Sequence, residues 1–250
     1  MNEKITDGPF ERYYDNGMVY KKGIYKNGEL DGTYEEFYKN GQLWQKHTLK
    51  DGVREGPYEL YDENGQLREK STFKGGRLNG PTEEYKDSGL LFCKGFYKNG
   101  RRDGPYEEYW ENGQLFLKST FKNGNLDGPY EDYYDNGQIA DKTTYINGER
   151  VDGPFEKYHY NGQLKEKGTF VNGKLDGPYE EYWENGKVFE KYNYKNGVLE
   201  GFSQTYYDNG QLGEEKHFKN GELDGPYESY YDNGQLWEKG VYKDGEFVSD

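Results

Sequence analysis

The chain is short of most things a compact globular enzyme is built from. A single cysteine, Cys93, stands in 250 residues, so no internal disulfide framework is available. There is one alanine, Ala140. A chain so poor in the best helix former, and rich in Tyr, Phe, Thr and Val, reads as all-β. Leu, Ile, Val and Phe together make only 42 of the residues, too few to fill a thick core between two packed sheets. No run approaches transmembrane length, and the opening MNEKITDGPF lacks the apolar centre of a signal peptide, so a cytoplasmic location is expected. Clustered positive charge is missing too. The formal charge is −14, from 47 acidic and 33 basic side chains spread along the chain. That sign disfavours nucleic acid and anionic membrane surfaces and suits a basic protein partner.

What is abundant is tyrosine, 28 residues, and glycine, 36 residues placed at regular intervals, which argues against the disorder that high charge and few aliphatics would otherwise suggest. Taking the glycine of each DG or EG as position one, units begin at Gly8, Gly32, Gly56, Gly80, Gly104, Gly128, Gly153, Gly177, Gly201 and Gly225. The period is 24 residues, with one step of 25 where NGERVDG carries an extra residue. A fixed period of this length denotes a repeat architecture, here ten units making one repeat domain over residues 1–250.

Each unit carries two Asn-Gly or Asp-Gly turn signals, the first ending DNG or ENG and the second KNG or KDG. Both are read as two-residue hairpin turns, since Asn and Gly tolerate positive φ; a three-residue loop with a bulge is the alternative for the first. About twenty short antiparallel strands follow. With a two-residue loop the fourth position faces the fifteenth. The fourth is Glu in nine units, as at Glu107, and the fifteenth is Lys in nine, as at Lys118; the exceptions, Gln204 and Glu215, fall in the same unit. Opposite charges across a ladder support that register.

In this register one face carries the third, seventh, twelfth and eighteenth positions (Tyr106, Trp110, Leu115, Phe121). The other carries the Glu–Lys pairs, the always aromatic sixth position (Tyr109, Tyr133) and a variable thirteenth. The expected fold is all-β: tandem 24-residue β-hairpin repeats forming an elongated, twisted single-layer sheet or a shallow solenoid, about 95 Å long at the usual strand spacing.

The unit GPYEEYWENGQLFLKSTFKNGNLDG resembles the bacterial variant of the MORN repeat, and the chain from Thr6 to Asp250 is similar to the YwqK-family antitoxins. That resemblance implies strings of β-hairpins, protein–protein contacts and neutralisation of a partner toxin. The unit from Gly80 departs from its siblings at Thr82, Lys86 and Ser88, and the unit from Gly201 has Phe202 where proline is usual.

No catalytic, metal or cofactor site is expected. His47, His159 and His217 occupy the sixteenth, seventh and seventeenth positions of separate units, read as substitutions on a tolerant surface. Cys93 has no histidine in its own or an adjacent unit and is assigned to packing. The repeated carboxylates, Glu107 and Glu131 among them, have lysine partners and read as ionised ladders. The leading function is therefore non-catalytic protein binding, of the antitoxin or immunity type, against a basic toxin. Specificity is expected at the bulky thirteenth-position residues Trp44, Phe92, Phe116, Phe189 and Trp237, beside the sixth-position tyrosines Tyr109 and Tyr133. The alternatives are an aromatic repeat that binds carbohydrate or cell wall, and a passive scaffold that self-associates through its terminal strand edges.

Overall fold

A computed structural model describes residues 6–249. The chain is all-β, with no helix among the described residues, and divides into two compact units, Met1–Gly128 and Pro129–Asp250. In the first, hairpins begin with the strands Gly8–Tyr13, Gly32–Phe37, Val53–Tyr61, Gly80–Tyr85 and Arg101–Tyr109. In the second, the strand Ile139–Ile146 is followed by hairpins starting at Gly153–Tyr158, Gly177–Tyr182, Gly201–Tyr206 and Glu222–Tyr230. Every recorded strand pair is antiparallel, both within a hairpin and to the next one. The described residues form 26 strand segments, more than the twenty expected. Five of these are two-residue pieces such as Glu29–Leu30 and Val198–Leu199, the leading ends of strands broken before the repeat glycine.

The breaks fall at an irregularity before the repeat glycine that is present even where the strand runs on. Between Leu91–Lys98 and Arg101–Tyr109, Tyr97 faces Arg102 and Gly95 faces Tyr106, so Asp103, Gly104 and Pro105 stand against Phe96 alone. Gly104 takes φ 125°, open only to glycine, and proline fits where the ladder is interrupted.

The two turns differ, contrary to expectation. The second is a two-residue turn with positive φ at both residues, 52° at Asn123 and 94° at Gly124. In the first only the glycine is left-handed, Gly113 at 82°. Its N–H donates to the Trp110 carbonyl at 2.9 Å, and the Trp110 N–H donates to the Gln114 carbonyl at 2.7 Å. This is a three-residue loop, so Tyr109 faces Leu115. Glu108 then faces Leu117, leaving Phe116 as an extra residue. The longer loop shifts the register by one and the bulge restores it. Glu107 therefore still faces Lys118, and Gln204 still faces Glu215.

The bulge overturns part of the face assignment. Leu115, expected with Tyr106, lies opposite Tyr109 instead. The thirteenth residue, expected beside the sixth, joins the seventh. On the resulting inner stripe the third-position rings are buried: Tyr34, Tyr58 and Tyr106 in the first unit, Phe155, Tyr179 and Tyr227 in the second. Opposite them stand small or absent side chains such as Ser71, Ser119, Gly95 and Gly168. A Cβ on Gly95 would come within 2.8 Å of the Tyr106 ring, so the stripe closes only because that position is small. Eighteenth-position rings pack on the third, edge-on at Tyr106 and Phe121 (5.6 Å) and tilted at Phe155 and Phe170 (4.9 Å). The Arg102 guanidinium lies 3.9 Å from the centre of the Tyr106 ring.

His47 is no tolerant surface residue: it is buried between Tyr34 and Tyr58 in that stripe. Burial first, then Arg54, holds its pKa below the usual histidine range. Cys93 is buried as expected, and burial pushes its thiol up to about 11, which leaves it unreactive at neutral pH.

Candidate functional site

The seventh and thirteenth positions of each unit meet beside the first turn. Rings pair within the hairpin at Tyr14–Tyr20 (4.9 Å), Tyr38–Trp44 (6.1 Å) and Trp110–Phe116 (4.6 Å) in the first unit. In the second the pairs are Trp183–Phe189 (4.3 Å) and Tyr231–Trp237 (6.1 Å). The unit from Gly80 keeps the arrangement with a cation, the Lys86 ammonium lying 5.8 Å from the centre of the Phe92 ring.

The seventh side chain also ties its hairpin to the next. Tyr14 and Tyr38 hydroxyls donate to the backbone carbonyls of Phe37 and Tyr61, at 2.7 and 3.0 Å. Lys86 Nζ donates to the Tyr109 carbonyl at 2.7 Å, and Trp183 Nε1 to that of Tyr206 at 3.1 Å. His159 Nε2 reaches the Tyr182 carbonyl at 2.7 Å and so has a structural role that sequence reasoning missed. Phenol, ammonium, indole and imidazole have one thing in common here, a donor at the right reach. Asp62 breaks the series: a carboxylate cannot donate, and its Oδ1 accepts from the Asn64 and Gln66 N–H groups.

A second tie runs beside the first. The turn asparagine accepts from the backbone two residues on, as Asn40 Oδ1 does from the Gln42 N–H at 2.9 Å. Its amide donates to the next turn, Asn40 Nδ2 to the Glu63 carbonyl at 2.7 Å and Asn185 Nδ2 to that of Asp208 at 2.9 Å. The first turn needs asparagine for these bonds and not for positive φ.

The bulge rings that these ties position stay accessible. Trp44, Phe92, Phe116 and Trp237 are exposed and Phe189 is half-buried. Tyr109 and Tyr133 lie on the other face, each hydroxyl donating to the fourth-position carboxylate of its own strand, Glu107 and Glu131. The proposed contact residues are therefore divided between two faces. Within each unit the thirteenth-position rings share their stripe with the seventh-position rings, Tyr38 in the first and Trp183 and Tyr231 in the second. The usually aromatic seventh position was the available signal for them.

The opposite face is electrostatically self-satisfied. Apart from Glu11 in the first hairpin and Glu228, which faces Glu215 as well as Lys239, the fourth-position Glu residues have lysines on two sides: Lys94 Nζ lies 2.8 Å from Glu107, and Lys167 Nζ 2.9 Å from Glu180. Those lysines belong to the preceding hairpin. Burial alone would raise the Glu107 carboxyl, but Lys94, Tyr109 and Lys118 hold it below the usual range. A shallow hollow of about 310 Å³ on the strands near Pro81, Phe96 and Pro105 is rimmed by Glu83, Lys94 and Glu107. Among the described residues no group of three or more His, Cys, Asp or Glu could hold a metal ion, and no helix is long and apolar enough to cross a membrane.

Nine stretches match the MORN repeat variant family, at residues 6–27, 30–51, 54–74, 102–123, 126–147, 151–172, 175–196, 199–220 and 223–244. The chain belongs to the MORN repeat variant family. The stretch around the Gly80 unit lies outside the matches, yet Gly80–Tyr85 and Leu91–Lys98 pair in the same bulged register as their siblings. The MORN repeats also have structural likenesses. "Crystal Structure of TcdB2-TccC3-Cdc42" and "Crystal Structure of TcdB2-TccC3" contain chains 12% and 11% identical, with TM-scores of 0.23 and 0.24. Each match covers 96% of this chain, which spans only 16% and 17% of those chains. No curated protein matches by sequence.

Proposed function

We propose that this MORN repeat chain is a non-catalytic binding protein that seats a partner protein on its bulge rings, as an antitoxin or immunity-type protein would cover a basic toxin. The observation that carries the reading is the presentation of those rings. Trp44, Phe92, Phe116 and Trp237 are exposed, yet each lies against its seventh-position neighbour, by ring contact or under an ammonium. Rigid aromatic anchors lose little freedom on binding, and aromatic residues dominate interface energetics. The net charge of −14 supports a basic partner, whose approach it would accelerate.

The test is affinity capture by the full chain and by a Trp44→Ala, Phe116→Ala, Trp237→Ala variant, with captured proteins identified. One stoichiometric basic protein that binds at least tenfold less tightly to the variant supports the reading, at roughly 1–2 kcal/mol per anchor. Growth arrest by that protein, relieved on co-expression of this chain, supports the antitoxin role. Equal capture by both forms refutes the assignment of the rings.

A further inference from the structure

The ring row differs between the two units in what accompanies it. In the first unit some of the rings already carry cations of their own, although among the described residues none lies over Tyr38, Trp44 or Phe116. Lys21 Nζ lies 5.2 Å from the centre of the Tyr20 ring, Lys39 Nζ 5.8 Å from that of Tyr14, and Lys86 Nζ 5.8 Å from that of Phe92. These contacts show that an ammonium is accepted on this stripe. In the second unit the cationic heads of Arg150, Lys157, Lys167, Lys191 and Lys216 lie over Phe155, Phe170, Tyr182, Tyr206 and Tyr227. Among the described residues none lies over Trp183, Phe189, Tyr231 or Trp237.

The side chains flanking that second row are acidic. Trp183 comes two residues after Glu181, just beyond the end of the strand Gly177–Tyr182, and Glu190 follows Phe189. Glu181 stands directly opposite both Glu166 and Glu190, a like-charge ladder that repels itself. Tyr179 bridges two of these carboxylates, its hydroxyl 2.5 Å from Glu166 and 2.6 Å from Glu181. Glu214 and Glu238 continue the row on either side of Ser229, with Lys216 engaged to Glu214 at 2.6 Å. Lys157 is engaged to Glu166 at 2.6 Å, and no lysine stands opposite Glu181 or Glu190, so the row is only partly matched, unlike the ladder of the opposite face.

We propose that this face of the second unit docks an extended, lysine- or arginine-bearing segment of a partner protein, its cationic heads seated on the Trp183–Phe189 and Tyr231–Trp237 rings beside the carboxylates. The inference rests on the protein-binding reading and adds the partner's chemistry and the half of the chain that reads it. Hairpins follow one another at about 9.6 Å, two strand spacings. A polyproline II segment returns the same side every three residues, about 9.3 Å. The segment therefore presents a cation at every third residue, one per hairpin, crossing the strands. The Tyr207 ring, lying over Gly213 in the intervening hairpin, occupies the middle step.

The probe is a fluorescent twelve-residue peptide with lysine at every third position among Pro, Gly and Ser, titrated by anisotropy against the full chain. Counterparts carry glutamate at the same places, or lysines in one block. Expected are saturable binding of the spaced lysine peptide, several-fold weaker binding of the block, none of the glutamate peptide, and weakening with salt. Phe189→Ala with Trp237→Ala lowers affinity at least tenfold. Neither side chain makes a recorded side-chain hydrogen bond, and unchanged circular dichroism and melting show that the fold persists. Glu181→Gln with Glu190→Gln lowers affinity several-fold and flattens the salt dependence, whereas Trp44→Ala in the first unit changes it less than twofold.

No binding of the spaced lysine peptide, equal binding of the glutamate peptide, or equal loss in Trp44→Ala overturns the inference. A chain that ignores the peptide but still captures a protein through its bulge rings leaves the broader reading standing. A chain that does neither loses both.

Discussion

Two carboxylates of the same residue type behave oppositely here because their neighbours differ. Glu84 stands opposite Glu69, and burial first, then Glu69 and Glu108, hold its carboxyl above the usual range against the pull of Arg102. A raised carboxyl favours the folded state when protonated. That contribution is complete below its unfolded value of about 4.3 and disappears as pH rises through the folded value. Glu84→Gln should therefore stabilise the chain at pH 7, by a few tenths to about 1 kcal/mol, and give no gain at pH 3. Glu107 is the reverse case, lowered by its lysines against burial, so its contribution is present above the unfolded value and lost as pH falls through the folded one. Glu107→Gln should cost about 0.5–1 kcal/mol at pH 7 and progressively less in acid. Urea melts of both variants across that range check the opposite signs. A shared sign would mean that facing charges do not govern these positions.

At the scale of the hairpin, two turns that read alike as Asn-Gly do different work. Asn196 sits at φ 51° in a two-residue turn, where glycine is at least as comfortable. Asn185 receives the Lys187 N–H at 2.9 Å and donates to the Asp208 carbonyl at 2.9 Å. Asn196→Gly should change stability by under about 0.5 kcal/mol. Asn185→Gly should cost about 1–2 kcal/mol, the loss of two hydrogen bonds, and the difference in melting midpoint between the variants measures it. The hairpins, their antiparallel order and the Glu–Lys register were legible in the sequence, because Gln204 and Glu215 change together and glycines mark every turn. The bulge was not legible. A longer loop and an extra strand residue cancel, leaving the charge pairs unchanged while moving Leu115 and Phe116 to other company. For the same reason the candidate surface was half visible: the thirteenth-position rings were identified and their seventh-position supports were assigned elsewhere. His159 was misread because the requirement at its position is a hydrogen-bond donor, which no residue class defines.

Across the whole molecule, stability in a repeat chain is close to a sum of hairpins and the seams between them. In the first unit, the seam following the hairpin Val53–Tyr61/Leu67–Lys74 lacks the seventh-position tie, because Asp62 cannot donate. Native-state hydrogen exchange should show the strands flanking this seam opening before those flanking the Tyr38 tie. Asp62→Tyr should close the difference and raise stability by about 0.5–1.5 kcal/mol, one net hydrogen bond. An unchanged exchange pattern would show that strand pairing alone sets the strength of a seam.

The ties also have a direction. Tyr14, Tyr38, Lys86, His159 and Trp183 all reach towards the hairpin that comes later in the chain, and so do Asn40 and Asn185. Carboxylates before several repeat glycines do the same, Asp103 accepting from the Asn123 N–H and Asp176 from that of Asn196. Each hairpin thus holds its donors and caps ready before its successor exists. A ribosome releases the amino end first, and domains generally begin to fold in that order. Except beyond Asp62, a newly emerged pair of strands meets a finished template waiting for its carbonyls, so the array is suited to growing one hairpin at a time as it is made.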